Sequence, residues 1–283
     1  MTENTQVRQV MRVIEPQYVI EGAGVRLRRS IATRQLDYLD PFLLFDHFGS
    51  HDPGDYLAGF PMHPHRGIET VTYMLVGIVR HTDSMGNSGE ITAGDMQWMT
   101  AGGGIMHEEM PRGVDDHMEG FQLWVNLPAK LKMGKPRYQE IKAADIPTAS
   151  PETGIEVKVI AGEFAGVHGP VTEIAADPTY LDVKLAAGVR FTETIPAGHT
   201  ALAYLFEGNG DFAGKTLEAT RLVIFGDGNQ VEVTAGKQGA RFLLVSGKPL
   251  GEPIARYGPF VMNTEEEIRQ ALQDLRDGTF IQQ

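Results

Sequence analysis

Two short segments, Met62-His63-Pro64-His65-Arg66-Gly67 and Ile105-Met106-His107-Glu108-Glu109, carry four side chains that bind metal ions well, arranged as two pairs with one residue between the members of each. In an extended strand successive side chains point to opposite faces, so His63 shares a face with His65, and His107 with Glu109. Two such strands side by side could converge on one ion. Three imidazoles and a carboxylate suit a first-row divalent metal such as iron, copper, nickel, manganese or zinc. Calcium and magnesium prefer shells made only of oxygen.

The elements that must position those residues are β-strands. The chain is 283 residues long, enough for a sizeable core and for two domains or one large β architecture. Most of it is short apolar runs broken at close spacing by Gly, Pro, Asp and Asn, the pattern of a sandwich or barrel. Thr70 to Val76 forms one such run, ended by Gly77, and the Gly94-Asp95 turn leads into Met96-Gln97-Trp98-Met99. Ser84 to Gly89 reads as a loop between them. Further strands are expected near Glu156 to Ile160, Tyr180 to Leu185, Ala201 to Phe206, Arg221 to Phe225 and Arg241 to Val245. One helix is expected at the end, with Thr264 as its cap, Glu267 completing a capping box, and an apolar stripe of Ile268, Ala271, Leu272 and Leu275. Its place is the outside of a barrel.

Composition narrows the function. A formal net charge of −12 argues against a nucleic-acid footprint, which needs clustered Lys and Arg. The chain has no cysteine, so disulfides, thiolate metal sites and cysteine nucleophiles are excluded, and His and carboxylate remain as ligands. Met1 to Pro16 has no apolar segment of signal-peptide type, and no stretch approaches the ~20 apolar residues of a membrane span. The expected setting is the cytoplasm.

A weak internal repeat supports two β modules. Aligning Tyr73 with Tyr204 also aligns Gly77 with Gly208, and Gly94-Asp95 finds a counterpart in Gly226-Asp227. In the second copy Thr194 and Pro196 stand opposite His63 and His65, His199 falls opposite Ile68, and Gly239 to Phe242 offers no ligand where the first copy has His-x-Glu. A metal is therefore expected in the first module alone.

His63-x-His65, Glu69 and Gly77 resemble the first motif of the cupin superfamily, and Gly94 to His107 the second. The resemblance to its pirin branch is closer. It is carried by Asp40-Pro41-Phe42-Leu43-Leu44-Phe45-Asp46-His47-Phe48, by His63-Pro64-His65-Arg66-Gly67-Ile68-Glu69-Thr70-Val71-Thr72-Tyr73, by Gly94 to Gly102, and by Tyr257-Gly258-Pro259-Phe260-Val261-Met262-Asn263-Thr264. These segments span nearly the whole chain. The resemblance implies an all-β bicupin, two tandem jelly-roll-like barrels packed face to face with a short C-terminal helix. The metal-binding barrel would occupy residues 1–130, and a degenerate barrel ending in the helix would occupy residues 131–283. It implies His63, His65, His107 and Glu109 as the metal ligands, iron(II) before copper, manganese, cobalt, nickel or zinc. Glu69, the glutamate of the general cupin pattern, is left out of the ligand set.

The resemblance further implies quercetin 2,3-dioxygenase activity, in which a flavonol ring is opened by dioxygen with loss of carbon monoxide. Four protein ligands on a six-coordinate ion leave two open positions, enough for a substrate oxygen and dioxygen. Glu109 is then also the candidate base for the flavonol 3-hydroxyl. The partners would be a small aromatic substrate and dioxygen, with no nucleic acid and no membrane. A metal-sensing regulatory module acting through protein contacts is the alternative, and a purely structural metal ranks third. The bland reading holds for His47, His51, His81, His117, His168 and His199, taken as surface or hydrogen-bonded residues. It also holds for Met96, Trp98 and Met99, taken as core or pocket wall. Gly102-Gly103-Gly104 has no phosphate-binding lysine after it and reads as a tight turn before the ligand strand.

Overall fold

A computed structural model describes residues 5–281. Short apolar runs between turn residues form antiparallel strands throughout, and one α-helix, Glu265–Asp277 (α1), follows them. The chain divides into two compact units, Gln17–Ala143 with Leu250–Gln283 and Met1–Pro16 with Ala144–Pro249, of which residues 1–4 and 282–283 lie outside the described part. This differs from a contiguous division at residue 130. The reason lies in strand pairing and apolar packing. Val10–Ile14 completes a sheet by pairing with Arg221–Phe225. Val261 joins a core cluster with Ile68 and Ile105, while Phe260 and Phe280 pack with Met106. The helix thus belongs to the unit that contains the histidine pairs.

In that unit a seven-stranded sheet runs in the order Arg137–Ile141, Met96–Thr100, Ile68–Val76, Met118–Asn126, Phe42–Ser50, Val25–Ile31 and Gln17–Glu21. A four-stranded sheet runs Phe60–His65, Ile105–Arg112, Ile78–Asp83 and Ser88–Ile91. The two sheets meet over an apolar cluster in which Val79 and Ile91 of the smaller sheet pack with Val25, Leu27, Phe48, Met74 and Met118 of the larger. Alternation along the strands puts those side chains inside.

The other unit is built on a nine-stranded sheet whose 18-residue strand Gln230–Gly247 pairs with Arg190–Thr194 near its start and with Thr179–Leu185 near its end. Its core gathers Val157, Leu181, Phe191, Phe212 and Phe242, all 1% exposed or less. Gly77 and Gly208, aligned by the sequence repeat, both adopt left-handed backbone, with φ of +88° and +73°.

Each strand expected from the apolar runs is found, usually longer at its ends. The loop at Ser84 to Gly89 is shorter than expected, because Ser88 and Gly89 enter a strand paired with Ile78–Asp83. The cap of α1 is as the sequence reads: the Thr264 hydroxyl accepts from the Glu267 amide at 3.2 Å and the Glu267 carboxylate from the Thr264 amide at 3.0 Å. Ile268 and Ala271 are buried, but Leu275 is 38% exposed, so the stripe stops one turn early.

Candidate metal centre

The four-stranded sheet sets the site. His107 stands directly opposite His63 on one side and Asp83 on the other, and Glu109 stands opposite His81. Cross-strand partners share a face, so His63, His65, His107 and Glu109 all project inward, with His81 and Asp83 beside them. A β-bulge lies between His107 and Glu109 on the edge that pairs with Phe60–His65, and it re-aims neighbouring side chains. Candidate ligand nitrogens of His63, His65 and His107 lie within 4.8 Å of one another.

Hydrogen bonding fixes which nitrogens face the centre. Nδ1 of His63 lies 2.9 Å from the Pro61 carbonyl oxygen, and Nδ1 of His65 lies 3.4 Å from that of Pro259. A carbonyl only accepts, so Nδ1 carries the proton in each ring and Nε2 carries the lone pair. Those two Nε2 atoms are 3.1 Å apart. His107 is fully buried, and neither of its ring nitrogens has a hydrogen-bond partner among the described residues. Burial lowers the pKa of all three imidazoles, to about 3 for His65, and mutual repulsion adds to the effect at His65 and His107. Neutral imidazoles with lone pairs converging on one point are what a divalent transition metal requires. The residues fit such an ion.

Glu109 is 9% exposed and lines the same cavity as His63 and His65. Burial pushes its carboxyl up to about 7, opposed by a hydrogen bond from the Thr72 hydroxyl at 3.2 Å. Thr72 Oγ1 also lies 2.8 Å from the Gln122 side-chain amide. A hydroxyl has one hydrogen, so Thr72 serves both neighbours when the Gln122 amide nitrogen donates to it. Glu69 is placed otherwise. It does not line the cavity, and its Oε1 accepts from the Thr100 hydroxyl at 2.8 Å.

The cavity above the imidazoles has a volume of about 660 Å³. Its walls are largely apolar, with Leu27, Phe48, Phe60 and Trp124 among them, and Arg29, Asp46 and Arg256 supply charge. Trp124 meets His65 edge-on, with ring centroids 5.0 Å apart. Met96, Trp98 and Met99 are buried at 1% exposure or less and do not line this cavity.

Behind the strand that carries His63 and His65, Arg66 is 1% exposed and donates to Asp274 of α1 at 2.6 Å and to the Phe280 carbonyl at 3.2 Å. The residue next to His65 is thereby tied to the end of the chain. The glycine run acts as a tight turn: Gly102 has φ +51°, and a Cβ there would sit 2.2 Å from the Gly134 carbonyl oxygen.

His81 was not distinguished by sequence from the other isolated histidines, yet it is fully buried, its ring 5.3 Å from that of His107, and neither of its nitrogens has a hydrogen-bond partner among the described residues. The alternation Val79-x-His81-x-Asp83 was the available signal. His47 is buried against Glu119 at 3.0 Å, His51 and His117 stack at 4.0 Å, and the His168 side chain is 75% exposed. Arg256 and Trp124 lie in no motif, and Thr72, though inside the segment ending at Tyr73, has nothing in the sequence to mark its contact with Glu109.

Residues 24–125 match the family model for pirin, and residues 180–281 that for the pirin C-terminal cupin domain. The chain is 46% identical over 275 residues to a pirin-like protein of Caulobacter vibrioides, covering 97% of this chain and 99% of that one. It is 45% identical over 264 residues to pirin of Homo sapiens, covering 91% and 88%. A crystal structure of quercetin 2,3-dioxygenase from Acinetobacter baumannii superposes with a TM-score of 0.88 at 37% identity, covering 98% of this chain and 100% of that one. The architecture is that of a bicupin. Among the described residues no helix is long and apolar enough to cross a membrane.

Proposed function

The chain belongs to the pirin family, and on that premise we propose that it is a cytoplasmic, metal-dependent dioxygenase that opens the central ring of a quercetin-like flavonol with dioxygen and releases carbon monoxide. His63, His65, His107 and Glu109 hold the metal in this reading, with iron(II) the first choice. The observation that carries it is the convergence of unprotonated imidazole nitrogens beside an apolar cavity of about 660 Å³, a size suited to a small aromatic ligand.

The metal, when bound, supplies a Lewis-acidic and redox-active centre at which substrate and dioxygen meet. The protein does the rest. Phe48, Phe60 and Trp124 offer aromatic wall to a planar ring system and keep water from it. Glu109 takes the proton of the flavonol 3-hydroxyl on a carboxylate oxygen. Thr72 holds that carboxylate in place by donating to it at 3.2 Å.

The test is metal content followed by turnover. His63→Ala, His65→Ala and His107→Ala should each lower bound metal by more than about tenfold, measured by elemental analysis of protein expressed in metal-replete medium. Wild type loaded in turn with iron, manganese, cobalt, nickel and copper should consume dioxygen and release carbon monoxide in equal amounts with quercetin. Retention of stoichiometric metal by those variants would overturn the ligand set. Stoichiometric metal in wild type without oxygen uptake on any ion would overturn the enzyme and leave a metal-binding module.

A further inference from the structure

The charged residues of the cavity are unequally satisfied. Arg29 donates through Nε and Nη2 to both carboxylate oxygens of Asp46, at 2.8 and 2.7 Å, and through Nη1 to Glu21 at 2.6 Å. That group is paired with two carboxylates. Arg256 makes one hydrogen bond, from Nη1 to the Leu43 carbonyl oxygen at 3.2 Å, and no ion pair among the described residues. Its guanidinium carbon lies 5.3 Å from the centre of the Trp124 ring, and Trp124 in turn touches His65. The cation and the imidazole site therefore lie within reach of one fused aromatic system.

A half-buried guanidinium with one neutral acceptor is under-paired, and its remaining donors form a planar fork matched to a carboxylate or phenolate. Burial and the like charge of Arg29 lower its pKa, while Asp37, Asp46 and Glu21 act on it only from a distance. An anion arriving here would relieve both effects. Arg29, by contrast, already has its charge paired with Asp46 and Glu21.

We propose that Arg256 is a specificity-determining residue, and that the cavity selects a planar aromatic ligand bearing an anionic oxygen, carboxylate or phenolate, that docks on its guanidinium while the ring lies against Trp124. The proposal rests on the functional reading in taking this cavity as the substrate site. It goes beyond that reading in requiring an acidic group besides the one that reaches the metal.

Zinc-loaded protein, in which redox chemistry is silent, gives a direct test. Calorimetric titration near neutral pH with 2-naphthoate and with its neutral isostere 2-naphthamide should show the anion binding about tenfold more tightly to wild type. Arg256→Gln should bring the two affinities to within about twofold, leaving the naphthamide affinity, bound zinc and Tm unchanged. Arg256→Lys, which keeps the charge and loses the fork, should give an intermediate ratio and carries the test if the glutamine variant unfolds. Equal affinities in wild type, or a preference that survives either substitution in full, would overturn the proposal. Quercetin oxidation is scored separately with the redox-active ions. An Arg256-dependent preference for naphthoate without quercetin turnover would uphold this inference and sink the flavonol reading, whereas turnover without the preference would do the reverse.

Discussion

Glu69 and Glu109 are both buried, and burial pushes each carboxyl up to about 7. What separates them is the face each occupies: Glu109 shares the inward face of the His107 strand, and Glu69 is spent on Thr100. The same desolvation acts at Glu193 in the other unit, whose carboxyl rises from 4.5 to about 7 through burial and the neighbouring charge of Glu163, against a backbone hydrogen bond at Thr194. A folded-state pKa above the unfolded value favours folding below the unfolded value. That contribution is lost as pH rises through the folded one. Glu193→Gln should therefore have a higher Tm than wild type at about pH 8 and an equal one below about pH 4.5. Thermal scans across that range check it, and a wild type that stays the more stable at alkaline pH would refute the assignment.

At the scale of elements, the turn between Phe60–His65 and Ile68–Val76 decides how His65 is presented. Gly67 sits there with φ +80°, and a Cβ would lie 2.0 Å from the Val261 carbonyl oxygen. Only glycine meets both demands. Gly67→Ala should destabilise the protein by about 2–4 kcal/mol from backbone strain and the forced retreat of Val261. Because Gly67 lies two residues from His65, the displacement should also weaken metal binding. Denaturant titration and metal content test both effects, and a shift under about 0.5 kcal/mol would mean that the chain relaxes around the methyl group. The cap of α1 was legible because Thr264 and Glu267 are four-residue chemistry. The early end of its apolar stripe at Leu275 was not, since exposure depends on what lies across from the last turn.

At the scale of the whole molecule, the unit holding the histidine pairs is closed by residues far along the chain. Asp274 and Phe280 pair Arg66, and Val261 accepts from the buried ammonium of Lys132 at 2.9 Å, together with Gly67 at 2.8 Å and Asn126 at 2.6 Å. Removing one partner of a buried ion pair such as Arg66–Asp274 costs about 3–5 kcal/mol. A fragment of residues 1–130, which the linear sequence suggests as a module, should therefore show no cooperative thermal transition and hold no stoichiometric metal. Circular dichroism and elemental analysis of that fragment decide the matter. A cooperative, metal-loaded fragment would restore the contiguous division.

Period-two alternation, turn residues and the spacing of His63, His65, His107 and Glu109 are local properties, so the sequence by itself determined the β class, the strands, the helix cap and the pairing of candidate ligands within each strand. The family motifs added the bicupin architecture. Which strands lie edge to edge is a matter of register between residues tens or hundreds apart. Only the tertiary structure decided that His81 joins the inward face beside Glu109, that Pro259 holds the His65 ring, and that Arg256 stands under-paired against Trp124. Such contacts follow from packing free energy summed over the whole unit, which no window of sequence contains.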